Sequence, residues 1–205
     1  MKKIQTPISD DVINDLKVGD KISLSGIMYC GRDAVLPKLA KSIENDDTDE
    51  YPFDFKGMAI MHTAFSVAGI APTTSNKAEI ESSIPTLSKS GVKFHIGKGS
   101  LSDETKEILN KYNSVFIVTP PVAALLTNNV ISKKCVAYEE EGMEAFFELE
   151  VKDIPGIVAI AHGESLWVFL FLFFILLEWD LIFFFYFSFF PYYFSNALFN
   201  FIYYF

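Results

Sequence analysis

Cysteine is nearly absent from this chain, with Cys30 and Cys135 the only two in 205 residues. So widely separated, they form no CxxC pair, no metal-ligand cluster and no disulfide framework, and a reducing cytoplasm is the expected setting. Positive charge is also scarce: 17 Lys and Arg stand against 26 Asp and Glu, a formal net charge of −9. A nucleic-acid partner demands a cation-rich face, so this composition argues against one and requires any functional cations to act locally. Residues 1–20 are polar without a continuous apolar run, and they read as lacking a targeting signal.

Lys and Arg are missing altogether from residues 167–205, which hold 14 of the 21 Phe, both Trp and five of the nine Tyr. A membrane-spanning helix needs about 20 apolar residues. Leu166 to Leu177 supplies 12 before Glu178-Trp179-Asp180 interrupts, and no flanking cation would orient a span. Phe, Leu, Ile, Tyr and Asn share A/T-rich codons. We therefore read 167–205 as an anomalous aromatic low-complexity tail, a frame artefact or aberrant terminus, and expect no membrane partner. Residues 1–166 keep all 17 basic and 24 of the acidic residues and suffice for one ordinary domain.

Within that body strands alternate with helices. The pattern predicts an edge strand over Ile4–Ile8, a Ser9-capped helix over Val12–Leu16, a strand over Lys21–Tyr29 and a helix within Ala34–Ile43 starting near Leu36-Pro37. ENDDTDE (44–50) reads as a solvated acidic loop. A buried strand over Phe55–Ala64 follows, with His62 as a satisfied core histidine. Lys77–Lys89 reads as a helix that Pro85 kinks or breaks. Further on come a strand over Val92–Ile96, a Ser102-capped helix with Ile108, Leu109 and Tyr112 inward, a strand over Ser114–Val118 and a short helix over Val122–Leu126. Two last strands, Ala145–Val151 and Gly156–Ala161, are joined by Lys152-Asp153-Ile154-Pro155. The order implies an α/β domain with a mixed sheet.

Three turns share one grammar of small residues, hydroxyls and a cation before a helix: Gly31-Arg32-Asp33, Pro72-Thr73-Thr74-Ser75-Asn76-Lys77 and Ile96-Gly97-Lys98-Gly99-Ser100. Backbone N–H groups and cations there favour an anion, and a shared pocket for a carboxylate-bearing substrate is expected. Plainer roles stand beside this. Arg32 can pair with Asp33 or another acid, Thr73 and Thr74 can cap a helix, and Cys30 can be a small buried hydrophobe.

The stretches SGIMYCGRDA, APTTSNK, FHIGKGSLSDET and ELEVKDIPGIVAIAHGESL, in that order over about residues 3–166, resemble the β subunit of class I fumarate hydratases. They are similar to the β region of iron–sulfur hydro-lyases generally, L-tartrate dehydratase included. The resemblance implies a swivelling β/β/α domain that packs on a separate α subunit. That partner would bind the 4Fe-4S cluster through its own cysteines, leaving no cofactor or metal ligand in this chain. It implies reversible hydration of fumarate to L-malate, with Thr73 at the proton-abstraction position and Arg32, Lys98, Lys77 and Thr74 on the substrate. Lys77 stands where many relatives carry arginine, which keeps the charge and loses the bidentate fork. A tartrate dehydratase β subunit, or a membrane-tethered noncatalytic subunit binding a dicarboxylate or an acidic partner face, are the alternatives.

Overall fold

The structure, a computed structural model, describes residues 1–46, 54–120 and 122–166. The aromatic tail and residues 47–50 of the acidic run lie outside the described residues.

Five parallel strands form the frame: β1 (Lys2–Gln5), β2 (Lys21–Gly31), β3 (Ala59–His62), β6 (Phe94–Gly97) and β7 (Val115–Val118), hydrogen-bonded in that order. The long strand β9 (Phe146–Ala161) then runs antiparallel to both β7 and β2, so the pairings β2-β3-β6-β7-β9 return to β2 and form a ring. β8 (Val130–Ala137) and β10 (Glu164–Ser165) add to β9, and β4 (Phe65–Ser66) pairs with β5 (Gly69–Ile70) as a separate hairpin. The sheet is mixed and the domain α/β, as the alternation of elements predicts.

Alternation along the strands sorts side chains onto two faces. Ile22, Leu24, Met28 and Cys30 of β2 join Ala59, Met61, Phe94, Ile96, Val115, Ile117 and Leu149 in the larger buried cluster. Tyr29, Ile60 and Phe146 turn the other way, against Leu36, Leu39 and Leu87. The last three belong to α2 (Leu36–Glu44) and α3 (Lys77–Lys89), which cover this face. Burying each such large apolar side chain is worth about 1.5–3 kcal/mol. Cys30 lies in the core with its thiol pushed up to about 12 by burial, so it packs as a hydrophobe.

Helix ends follow local chemistry. Ser9 accepts from the Val12 N–H to start α1 (Asp10–Asp15), and Ser102 accepts from the Thr105 N–H to start α4 (Asp103–Lys111). Pro37 falls in the first turn of α2, where its missing N–H costs nothing. α3 runs unbroken through Pro85, with Ile80, Ile84 and Leu87 buried on one face. That packing outweighs the lost backbone bond. In α4, Thr105 and Leu109 are the buried residues, while Ile108 and Tyr112 are only half-buried. The short helix α5 spans Ala123–Asn128 and buries Leu126.

Four expectations shift. β1 ends at Gln5 rather than Ile8, and β2 extends two residues further than expected, to Gly31. β3 is confined to Ala59–His62, and its continuation folds back as the β4–β5 hairpin. The expected closing pair of strands is one strand, β9, because side chains bridge the irregularity that Pro155 and its neighbours create. Asp153, at φ 59°, accepts from Ser23 Oγ at 2.8 Å, and its N–H donates to Ser25 Oγ at 3.0 Å. These bonds hold the bulge between Leu24 and Gly26 in register.

Candidate functional site

β2 and β3 end level, Gly31 opposite His62, and the chain leaves both strands at the same edge of the sheet. Gly31 has to be glycine here, because a Cβ would lie 2.8 Å from a Val35 methyl and 2.9 Å from the Phe146 ring. The next residue, Arg32, is thereby delivered beside the start of α2. The Thr63 N–H donates to the Gly31 carbonyl at 3.0 Å, and the Thr74 N–H donates to the His62 carbonyl at 2.9 Å. Arg32, His62 and Thr74 are thus fixed to one another by main-chain bonds.

They line a narrow cleft with Asp33, Leu36, Pro37, Glu79 and Ile80. Thr74, buried, donates from Oγ1 to Asp33 Oδ2 at 3.2 Å and accepts from the Asn76 N–H at 3.1 Å, at the entry to α3. The Arg32 guanidinium lies 3.6 Å from Asp33 Oδ2 through Nη2 and 3.4 Å from Glu144 Oε1 through Nε. The Nε contact is an ion pair without hydrogen-bond alignment, and Nε is buried with no hydrogen-bond partner. Glu144 closes the 3₁₀ segment Glu139–Glu144, a stretch to which the sequence assigned no element. Arg32 therefore does pair with acids, as the plainer expectation has it, while retaining an unbonded donor.

A second cleft adjoins the first across Ile80. It holds about 360 Å³ and is lined by Ser75, Lys77, Ile80, Lys98, Gly99, Ser100 and Leu101. Lys98 follows directly on β6, and Gly99 at φ 79° turns the chain away in a left-handed conformation suited to glycine. Lys98 is exposed and has no ion-pair partner among the described residues. Lys77 lies 3.6 Å from Glu81 one turn along α3. Glu81 also accepts from the Ser102 N–H at 2.9 Å and from Thr105 Oγ1 at 3.1 Å, and is bonded by Ser102 Oγ. Burial pushes the Glu81 carboxyl up, but the bonds from Ser102 and Thr105 and the nearby Lys77 outweigh it and hold the carboxyl below its ordinary value. Through Glu81, α3 is tied to the loop that carries Lys98.

Thr73 directly precedes Thr74 of the first cleft, on the loop that continues to Ser75 of the second, and is not itself among the residues lining either. It is half-buried, and its hydroxyl makes no hydrogen bond among the described residues. The three turns are brought to one edge of the sheet as two adjoining clefts rather than one pocket. Three contributors were given no site role from the sequence: Asp33, Glu144 and the buried histidine pair. His62 Nε2 lies 3.4 Å from His95 Nδ1, and His95 Nε2 lies 2.9 Å from Ser88 Oγ. His62 is not the satisfied core histidine expected, since its Nδ1 is buried without a partner. Burial drives its pKa down to about 4, against the pull of the Asp33 carboxylate, so the ring is neutral at physiological pH. Burial, and then His62, also hold His95 well below the ordinary imidazole value.

Cations and hydroxyls thus gather in a mixed α/β domain at the edge where its parallel strands end. The family model described as Fumarase C-terminus matches residues 2–169, and the chain belongs to that family. It is 31% identical, over 80% of its length, to a Geobacillus stearothermophilus protein provisionally named fumarate hydratase class I, covering 33% of that protein. It is 25% identical to the aerobic class I fumarate hydratase of Escherichia coli K12 over 72% of this chain and 28% of that one. With the β subunit of L(+)-tartrate dehydratase from the same strain it shares 30% identity, over 81% of this chain and 87% of the subunit. The chain thus spans about a third of the class I fumarate hydratases it matches, and most of the tartrate dehydratase subunit.

Proposed function

We propose that this chain is the β component of a cytoplasmic hydro-lyase that reversibly hydrates a small dicarboxylate, fumarate to L-malate. It would work as a swivelling β/β/α domain against an α partner. The observation that carries this is the placement of Arg32, Thr73-Thr74 and Lys98 at the ends of three adjacent parallel strands or the loops that follow them. Strands lie about 4.8 Å apart, so Arg32 and Lys98, two strands removed, start from backbones roughly 10 Å apart. Two cations at that separation, on flexible stems, suit the two carboxylates of one short diacid.

Each residue has a task in this reading. Arg32 holds one carboxylate with the guanidinium atoms not committed to Asp33 and Glu144, and Lys98 holds the other as a point charge. Lys77 adds to the field from the edge of the second cleft. Thr74, tied to Asp33, orders the loop. Thr73, whose hydroxyl is uncommitted, takes the proton from the carbon next to a carboxylate. A threonine is a poor base in water, and the task requires the desolvated, cation-lined surroundings that closure of a partner over the clefts would create.

Class I enzymes of this kind use an iron–sulfur cluster, which supplies Lewis-acid chemistry at the leaving hydroxyl. The described residues do not fit one. Cys30 is buried with its thiolate disfavoured, Cys135 stands on a different strand, and no three His, Cys, Asp or Glu side chains converge. The cluster is assigned to the α partner. Among the described residues no helix is long and apolar enough to cross a membrane.

A tartrate dehydratase β subunit is the second reading, favoured by the 87% coverage of that subunit's length. The test is to reconstitute the full chain with a cluster-loaded α partner and assay fumarate hydration and tartrate dehydration side by side. Fumarate turnover that needs both chains supports the proposal, and preference for tartrate moves it to the second reading. Turnover by this chain alone under a chelator, or none of either acid by the complex, overturns it.

A further inference from the structure

His62, His95 and Ser88 form a buried chain that leads from the interior of α3 to the Arg32 cleft. All three are essentially excluded from solvent, at 0%, 0% and 2% exposure. The direction of their hydrogen bonds follows from counting donors and from which ring lines the cleft. The Ser88 hydroxyl has one side-chain partner, His95 Nε2 at 2.9 Å. Either direction along the chain leaves one buried donor unpaired, the Ser88 O–H or the His62 N–H. Only the second belongs to a ring that lines the cleft, where a ligand oxygen can pair it, so the Ser88 O–H is assigned as donor to Nε2. His95 then carries its proton on Nδ1 and donates to His62 Nε2 at 3.4 Å. His62, neutral and accepting at Nε2, must carry its own proton on Nδ1. That nitrogen is the buried one with no partner, on the ring that lines the cleft beside Arg32, Asp33 and Thr74.

We propose that Ser88 and His95 fix His62 as the Nδ1–H tautomer, so that the cleft presents a buried neutral N–H donor to an oxygen of the bound acid. An oxygen of a carboxylate or carbonyl satisfies it; an ammonium or another N–H does not. Unlike a cation, this donor is directional and adds no charge, so it places one oxygen rather than attracting the ligand. His62 is a ligand-positioning residue, and Ser88 and His95 act through it. Both the tautomer and the donor role rest on the reading of the cleft as a dicarboxylate site.

The experiment is long-range ¹H–¹⁵N spectroscopy of the full-length chain labelled at histidine, at neutral pH. With three histidines in the chain, His62→Gln and His95→Gln assign the signals. His162 serves as internal reference, because its Nε2 donates to the Leu16 carbonyl at 3.0 Å and must therefore be protonated there. The expected result is Nδ1–H at His62 and His95 and Nε2–H at His162. Ser88→Ala, remote from the cleft, should turn His62 into a tautomer mixture, and Ser88→Thr should restore one form. Nε2–H at His62, or no response to Ser88→Ala, overturns the tautomer assignment. L-malate and tartrate are then titrated in turn. A shift of the His62 Nδ1 signal that Arg32→Met abolishes supports the donor role. If the amides of Gly31 and Thr74 move while His62 stays still, the donor role falls and the cleft reading survives. If none of them moves, both fall.

Discussion

The two clefts on either side of Ile80 are built on opposite principles. Around Arg32 the protein supplies its own counter-charges, Asp33 and Glu144, packs Thr74 and His62 out of water, and leaves little open space. Around Lys98 there is an exposed cation on a glycine turn, no carboxylate among the lining residues, and about 360 Å³ of room. One side is preorganised, with Asp33, Glu79 and Glu144 outnumbering Arg32, and the other is open and positive. Under the proposed function, precise placement of a ligand would belong to the first, and electrostatic capture to the second.

The sharpest way to break this comparison lies at Thr73, on the loop that leads into both clefts. In the reconstituted complex Thr73→Val should nearly abolish turnover with substrate binding intact, because shape is kept and only the hydroxyl is lost. Thr73→Ser should retain part of the activity. A Val variant with normal single-turnover rates would send the search for the base to the α partner.

Next in size are the two cations. Arg32→Met and Lys98→Met should each lower kcat/KM by about 10²- to 10³-fold, the loss expected when one stabilising donor is removed from a preorganised site. Melting curves should separate them. Losing Arg32 strands Asp33 and Glu144 and costs about 1–2 kcal/mol of stability, after allowance for partial exposure. Losing Lys98, which pairs with nothing described, should leave melting unchanged. Equal melting temperatures would show that the Arg32 contacts carry no structural weight.

Acid provides a third probe, confined to the Arg32 side. His62 has a folded pKa of about 4 and faces His95, Asp33, Arg32 and Glu79. Its unfolded pKa is near 6.5, so between these values the unfolded chain binds the proton first. The contribution is full above pH 6.5 and is lost as pH falls toward 4, on the order of 3 kcal/mol at the lower end. Urea unfolding at pH 7, 5.5 and 4.5 should show this decline, shallower in His62→Gln. An identical slope in the variant would mean that other groups set the acid limit.

The smallest effect is expected at Lys77. Lys77 is the exposed partner of its pair with Glu81, so Lys77→Met should cost under about 0.5 kcal/mol, whereas Glu81→Ala should cost about 2 kcal/mol by freeing the Ser102 and Thr105 bonds. Thermal melting checks both.

Much of this was readable locally. Cap residues and the apolar spacing of α2 and α3 are set by neighbours in the chain, and those elements fall close to where their residues predict. The mistakes share a cause. The break expected in β9 is bridged by Ser23 and Ser25, more than a hundred positions away, and Glu144 reaches Arg32 from a segment with no periodic signal of its own.

By itself, then, the sequence determined the strand and helix alternation, the core-facing residues and the three cation-bearing turns, because periodicity and capping act within a few residues. Only the tertiary structure decided that β9 closes the strands into a ring and that the turns form two clefts of unlike character. The same holds for His62, which meets His95, itself bonded to Ser88, in the buried interior with one nitrogen left unbonded. These features depend on pairings between distant segments and on hydrogen-bond counts in a water-free interior, quantities that exist only once the chain has folded.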